Sequence, residues 1–137
     1  LQQETMHLPY GYFWCEWFEG EHFSVDFLSQ YGNKTYTIQG FKNENTFIKW
    51  DKWIQVEHQQ QHVIPSIIYP AILSYNLINV EYINDKAIEV HFRGNEDFKG
   101  AIKEFIPVWE GQDTTPPEGY TYRDYPDVHG RIGAFVK

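Results

Sequence analysis

Two acids, a histidine and an arginine crowd into "INVEYINDKAIEVHFRGN", residues 78–95. Runs rich in β-branched and aromatic residues flank Asn84-Asp85, which reads as a β-hairpin. Side chains alternate faces along a strand, so the length of the turn decides which residues meet. A two-residue turn at Asn84-Asp85 sets Glu81 against Ile88 and sends Glu89 to the other face. A three-residue turn, Asn84-Asp85-Lys86, pairs Ile83 with Ala87 and Glu81 with Glu89. His91 and Arg93 then follow Glu89 on one face, while Tyr82, Ile88, Val90 and Phe92 take the other. This register separates polar from apolar side chains, and it is the one predicted.

Opposed carboxylates on neighbouring strands repel, at a cost of some tenths to about 1 kcal/mol. A divalent cation removes that cost. Mg²⁺ is commonly held by one or two carboxylates together with substrate phosphates. Arg93 could aim its planar fork at a phosphate or carboxylate. The expected chemistry is a metal-plus-anion site with Glu81 and Glu89 on the metal. The plainer alternative is a solvated face on which Arg93 is an ion-pair partner.

Other groupings are weaker. "EHQQQH" spaces His58 and His62 as zinc-binding helices do, but it has no embedded Glu and no third ligand nearby, so polar surface is expected. Cys15 has no activating cation in sequence, and pairing with His129 gives way to a buried, inert thiol. Tyr12, Phe13, Trp14, Trp17, Phe18 and Phe23 are expected in the core; a sugar- or base-stacking platform would need several of those rings exposed. Arg123, Asp124, Asp127, His129 and Arg131 gather in a loop that either pairs with itself or lies over the carboxylate face.

The elements that must position these groups are mostly strands. "HFSVDFLSQ" and "KTYTIQGF" alternate about the turn "YGN", so 22–41 reads as a hairpin of half-buried strands. Residues 46–57 lean towards extended structure with a break. Apolar spacing predicts a helix near 69–76, with Pro70 kinking it or shifting its start. Residues 98–109 read as a short helix or irregular strand ending near Pro107. Residues 110–127 read as one long surface loop, and 131–137 as a closing strand. The expected class is α+β, with a mainly antiparallel sheet and one or two helices.

The totals bound what such a fold could do. A chain of 137 residues is one domain or a piece of a larger one. Hydrophobic residues at 42% and aromatics at 18% supply a core and exclude disorder. A net charge of −8 argues against a nucleic-acid partner, since no basic stripe is present. No apolar run approaches the ~20 residues of a membrane span, so no membrane partner is expected. A single cysteine makes a reducing, cytoplasmic compartment the default. A first residue of Leu suggests a fragment or trimmed chain.

The hairpin resembles the metal-binding hairpin of ATP-grasp enzymes, in which an acid on one strand precedes, after a short turn, a second acid flanked by apolar residues. Glu81 and Glu89 fall on the two acids and Arg93 on a basic position, while His91 stands where the family usually has Asn. "CEWFEGEHFSVDFL" is similar to that family's hinge and following strand. The resemblance runs from Phe13 to Phe98 and covers only the carboxy-terminal lobe. It implies ATP and Mg²⁺ as cofactors, Glu16 beside the adenine, and Lys42 or Lys49 near phosphates. It also implies Arg93 as the residue orienting a phosphate or acyl-phosphate. The nucleotide-binding lysines and phosphate loop of an amino-terminal half are missing, and no Gly-rich phosphate loop is present.

The resulting expectation is an ATP-dependent carboxylate–amine or –thiol ligase fragment. Its partner is a small-molecule substrate or a missing amino-terminal half, and it is inactive alone. The alternatives are a non-enzymatic domain binding a ligand or partner through exposed aromatics, and a homo-oligomer joined through edge strands.

Overall fold

The computed structural model describes residues 10, 15–28, 32–42, 49–95 and 102–137. Tyr12, Phe13, Trp14 and Phe98 lie outside the described residues. The alternating stretch 22–41 gives the expected hairpin, with β1 (His22–Leu28) and β2 (Asn33–Phe41) pairing antiparallel. Residues 46–57 supply one short strand, β3 (Lys52–Gln55). A 3₁₀ turn at Ser66–Ile68 runs into α1 (Tyr69–Ile72), a single turn where the spacing predicts a longer helix. Pro70 sits in the first turn of α1, where an amide hydrogen has no intrahelical partner, so it opens the helix instead of kinking it.

The chain continues through β4 (Leu77–Ile83), β5 (Lys86–His91), β6 (Glu104–Trp109), β7 (Thr121–Asp124) and β8 (Arg131–Val136). Two expectations are corrected here. Pro107 lies inside β6 and does not end it. The described pairing of β6 with β3 involves only Phe105 and Glu104, so Pro107 falls beyond that ladder and its missing donor costs nothing there. The stretch 110–127 is not a continuous loop either, because β7 forms within it and pairs with β8.

The eight strands form one antiparallel sheet in the order β5-β4-β1-β2-β3-β6-β8-β7. Together with α1 this is an α+β arrangement dominated by antiparallel sheet. Residues paired across a ladder share a face, and the register therefore locates two separate cores. Phe23, Val25 and Phe27 of β1 join Ile78, Val80 and Tyr82 of β4 on one face, covered by Ile64 and Ile72. On the other face and towards the other end, Ile38 and Phe105 pack with Ile102, Ala134 and Val136. β1 is buried on both faces, unlike the half-buried strand that its alternation predicts. Its second face carries His22, Ser24 and Asp26, and that polar face leads to the candidate site. Among the described residues no helix is long and apolar enough to cross a membrane.

Candidate functional site

Glu81 and Glu89 do stand opposite one another, though not by the expected turn. The turn is Asn84-Asp85, two residues long, with Ile83 paired to Lys86 and Tyr82 to Ala87. Asn84 takes the left-handed conformation at φ 53°, which Asn tolerates better than most residues. A regular ladder from this turn would bring Ile88 opposite Glu81. The register instead shifts between Glu81 and Tyr82, leaving Ile88 as the extra residue of a β-bulge and restoring the Glu81–Glu89 pair. Ile88 is accordingly exposed, while Tyr82 is buried and Val90 packs against the core on the opposite face.

Around Glu81 the side chains converge. His22, facing it from β1, places Nε2 2.7 Å from Glu81 Oε2. With the carboxylate ionised, that nitrogen carries the proton and donates it. His91 Nε2 lies 3.6 Å from Glu81 Oε1 and 3.5 Å from Glu89 Oε1. One ligand atom each from Glu81, Glu89 and His91 falls within 4.8 Å of the others. The ring of His22 is itself held edge-on by Trp50 at 4.6 Å and Trp53 at 5.5 Å. Burial works to raise the pKa of Glu81. The hydrogen bond and charge of His22, then those of His91, outweigh it and hold Glu81 below the ordinary carboxylate value. Glu81 is thus held as an anion, while the Glu89 side chain is 58% exposed.

Further along the same face, polar groups satisfy one another. Asp26 Oδ1 accepts from Asn79 Nδ2 at 2.8 Å and from the Asn95 amide at 2.9 Å. Ser24 Oγ accepts from Asn79 at 2.8 Å and from Asn95 Nδ2 at 3.2 Å. Burial raises the Asp26 pKa against these bonds and against the nearby charge of Arg93. These contacts tie residues 94–95 over β1 and explain how Ser24, Asp26 and Asn79 stay buried.

The other predicted residues are dispersed. Arg93 is exposed and donates from Nη1 to the Gly94 carbonyl at 3.0 Å, with its charge near Asp26. Glu16 is exposed. Lys42 sits 4.5 Å over the ring of Trp50 and lines a cleft of about 850 Å³ that also takes in Trp17, Phe18, His22 and Phe41. Lys49 stands over Trp109, outside that lining. His22 therefore touches both the cleft and Glu81.

Several expectations are overturned by burial. Cys15 is exposed, not buried. Trp17 is exposed and Phe18 half-buried, so of the described aromatics expected in the core only Phe23 lies there. His62 is completely buried, while His58 is exposed and bonds Thr37 Oγ1 at 2.8 Å. The loop residues pair among themselves: Asp127 accepts from the amides of His129 and Arg131, and Arg131 Nε donates to the Tyr125 carbonyl.

His22 was beyond the reach of the hairpin's spacing, because β1 meets β4 across 59 residues of sequence. His91 lies within the motif itself, two residues after Glu89 on the same face, so its spacing is the signal that could have marked it as a ligand. No protein-family model, curated protein or solved structure matches this chain.

Proposed function

We propose that the β4–β5 hairpin holds a divalent transition-metal ion through Glu81, Glu89 and His91, in an open site of the catalytic kind. The observation that carries this reading is the convergence of those three ligand atoms within 4.8 Å, with His22 fixing Glu81 at 2.7 Å. Two ligands placed tetrahedrally on bonds of roughly 2.0–2.1 Å stand about 3.4 Å apart. The separations of 3.5 and 3.6 Å from His91 to the two acids match that spacing. The role of His22 is that of the outer partner which orients a ligating carboxylate.

Mixed imidazole and carboxylate donors suit Zn²⁺, Mn²⁺ or Fe²⁺ better than Mg²⁺, which prefers oxygen alone. Three protein ligands leave positions for water or substrate. Such an ion polarises a carbonyl or phosphoryl oxygen, or lowers the pKa of bound water to about 7.

A titration of metal-free protein followed by calorimetry tests this. Zn²⁺ is expected to bind at least about tenfold tighter than Mg²⁺, and Glu89→Gln to weaken Zn²⁺ by about 10–100-fold. Because Glu89 is exposed, the same change should leave apo stability within about 0.5 kcal/mol. Zn²⁺ heat that survives Glu89→Gln would remove the site from this hairpin.

A second reading is the magnesium–nucleotide face implied by the ATP-grasp resemblance. The opposed carboxylates support it, as does Lys42 in the cleft that His22 shares. In the same titration it requires heat from Mg²⁺ and ATP together exceeding that from Zn²⁺ alone.

A further inference from the structure

Between β3 and the 3₁₀ turn, residues 56–65 cross the first core without forming helix or strand. The Val56 amide bonds the Thr37 carbonyl at 2.9 Å, and beyond it the main chain of 57–64 makes no backbone–backbone bond among the described residues. Side chains tether it instead. At one end His58 Nδ1 meets Thr37 Oγ1 at 2.8 Å, and Lys34 Nζ donates to the Gln59 carbonyl. At the other, His62 Nε2 donates to the Asn84 carbonyl at 2.7 Å, and the Tyr82 hydroxyl to the Val63 carbonyl at 2.8 Å. The segment is thus a strap from β2 to the turn of the β4–β5 hairpin, with Ile64 of its far end in the core.

The two histidine clips differ in how they meet acid. His58 is exposed, and its hydroxyl partner can donate to the ring or accept from it, so that bond survives either protonation state. His62 is completely buried, stacked on Tyr82 and tilted against Phe23, and its Nδ1 is sealed without a partner among the described residues. A second proton on that ring makes a buried cation whose new donor meets no acceptor. Phe23 of β1 brings no charge to it, and burial raises the Tyr82 pKa and keeps that phenol neutral. Lys34 of β2 opposes the proton and Asp85 of the hairpin turn favours it, as does the Asn84 carbonyl. Burial is the largest influence, so the closed strap takes up the proton at lower pH than an open one.

We propose that residues 57–65 are an acid-released strap, which protonation of His62 frees from the sheet while the β1–β4 ladder beneath stays paired. Release uncovers the ring faces of Phe23 and Tyr82, each 1% exposed when the strap is closed, and withdraws the bond from His62 to the hairpin turn. The ladder is spared because none of its pairs involves the strap. The device requires no metal and does not depend on the metal site. Below pH 6.5 the opening equilibrium rises by up to about tenfold per pH unit, levelling off once the closed form is protonated too.

Native-state proteolysis with proteinase K tests this, because cleavage follows the population of the open form when opening and closing are fast. Cuts are located by mass spectrometry, and the rate within 57–65 is divided by that of a free peptide of the same residues at the same pH. That ratio is expected to rise about fivefold or more from pH 7.5 to pH 5.0, with no matching rise at β1 or β4. His62→Gln should remove most of the rise, and His58→Gln, at an exposed position, should keep it. A flat ratio in the wild type overturns the proposal. So does a rise shared equally by β1 and β4, which is acid unfolding of the whole, and so does a rise that survives His62→Gln. Nuclear magnetic resonance of the wild type decides without any variant. The His62 ring signals and the amides of 57–65 should shift with one midpoint, and a ring that titrates while those amides stay still overturns the proposal equally.

Discussion

His62 is enclosed between two rings, Phe23 and Tyr82, each with its centroid 4.6 Å away. Its Nε2 donates to the Asn84 carbonyl at 2.7 Å, and its Nδ1 has no hydrogen-bond partner among the described residues. A neutral imidazole fits that setting and an imidazolium does not. Burial pushes its pKa below the ordinary 6.5. Lys34 pushes the same way, while the Asn84 bond and the Asp85 charge oppose it. The unfolded chain therefore takes up this proton near pH 6.5, and the folded chain only at lower pH. Stability is full above 6.5 and is lost as pH falls from there towards the folded value, by up to about 1.4 kcal/mol per pH unit inside that window. Glu81 is depressed instead, so its contribution is present above about 4.5 and fades at lower pH, below the pH values compared next. Urea unfolding of wild type and His62→Gln at pH 7.5, 6.0 and 5.0 separates the two. Gln can still donate to Asn84 but does not titrate, so the variant should lose less stability on acidification. Parallel curves would mean that His62 takes up its proton as readily when folded.

At the scale of elements, the β4–β5 hairpin reaches a polar face by a route its alternation does not display. Period-two patterning counts residues, and a bulge adds one without changing composition, so a short turn plus a bulge was indistinguishable from a longer turn. The same limit explains other differences. The hairpin 22–41 was legible because its residues alternate for several positions about a turn signal, and the closing strand because a short apolar run follows the turn residues up to Gly130. β7 was hidden by the Pro, Gly and Asp around it, and β6 by Pro107, whose tolerance depends on where β3 runs out. α1 shows apolar spacing over eight residues but forms a single turn. Of the site, the two acids were legible; His22 was not, because only the β1–β4 pairing brings it to Glu81. The bulge offers a direct experiment. Deleting Ile88 leaves Tyr82 opposite Ala87 and Glu81 opposite Glu89 in a regular ladder, so Zn²⁺ affinity should stay within about threefold of wild type. Removing an exposed side chain should also cost little stability. A loss beyond about tenfold in calorimetry would show that the bulge aims the ligands and does more than count them into register.

At the scale of the molecule, two cores on opposite faces of one sheet raise the question of whether they unfold together. The first rests on β1 and β4, and the β1–β4 ladder runs unbroken from His22–Ile83 to Leu28–Leu77. The second rests on β6 and β8 and joins the rest through a narrow seam. Among the described residues its backbone pairing is confined to Trp53–Phe105, Ile54–Glu104 and the Gln55 amide bonded to the Lys103 carbonyl at 2.8 Å; the Tyr36 hydroxyl bonded to the Ile102 carbonyl and the packing of Ile38 and Trp53 add side-chain contact. Burial and the charge of Asp26 push that hydroxyl's pKa up to about 12, so it remains a donor throughout the physiological range. Phe105 is fully buried at the seam, packing its ring on Tyr125. Phe105→Ala should cost about 3–5 kcal/mol at that position. Since hydrogen exchange reports local opening separately from global unfolding, the loss should be uneven. Amides of β6, β7 and β8 should exchange faster by a larger factor than those of β1 and β4, because the seam has few bonds through which the damage can spread. An equal loss of protection across both halves would make the eight strands a single cooperative unit. The shared strand β2, with Ile38 in one core and Thr37 buried on the opposite face, would then be carrying the coupling that the seam does not.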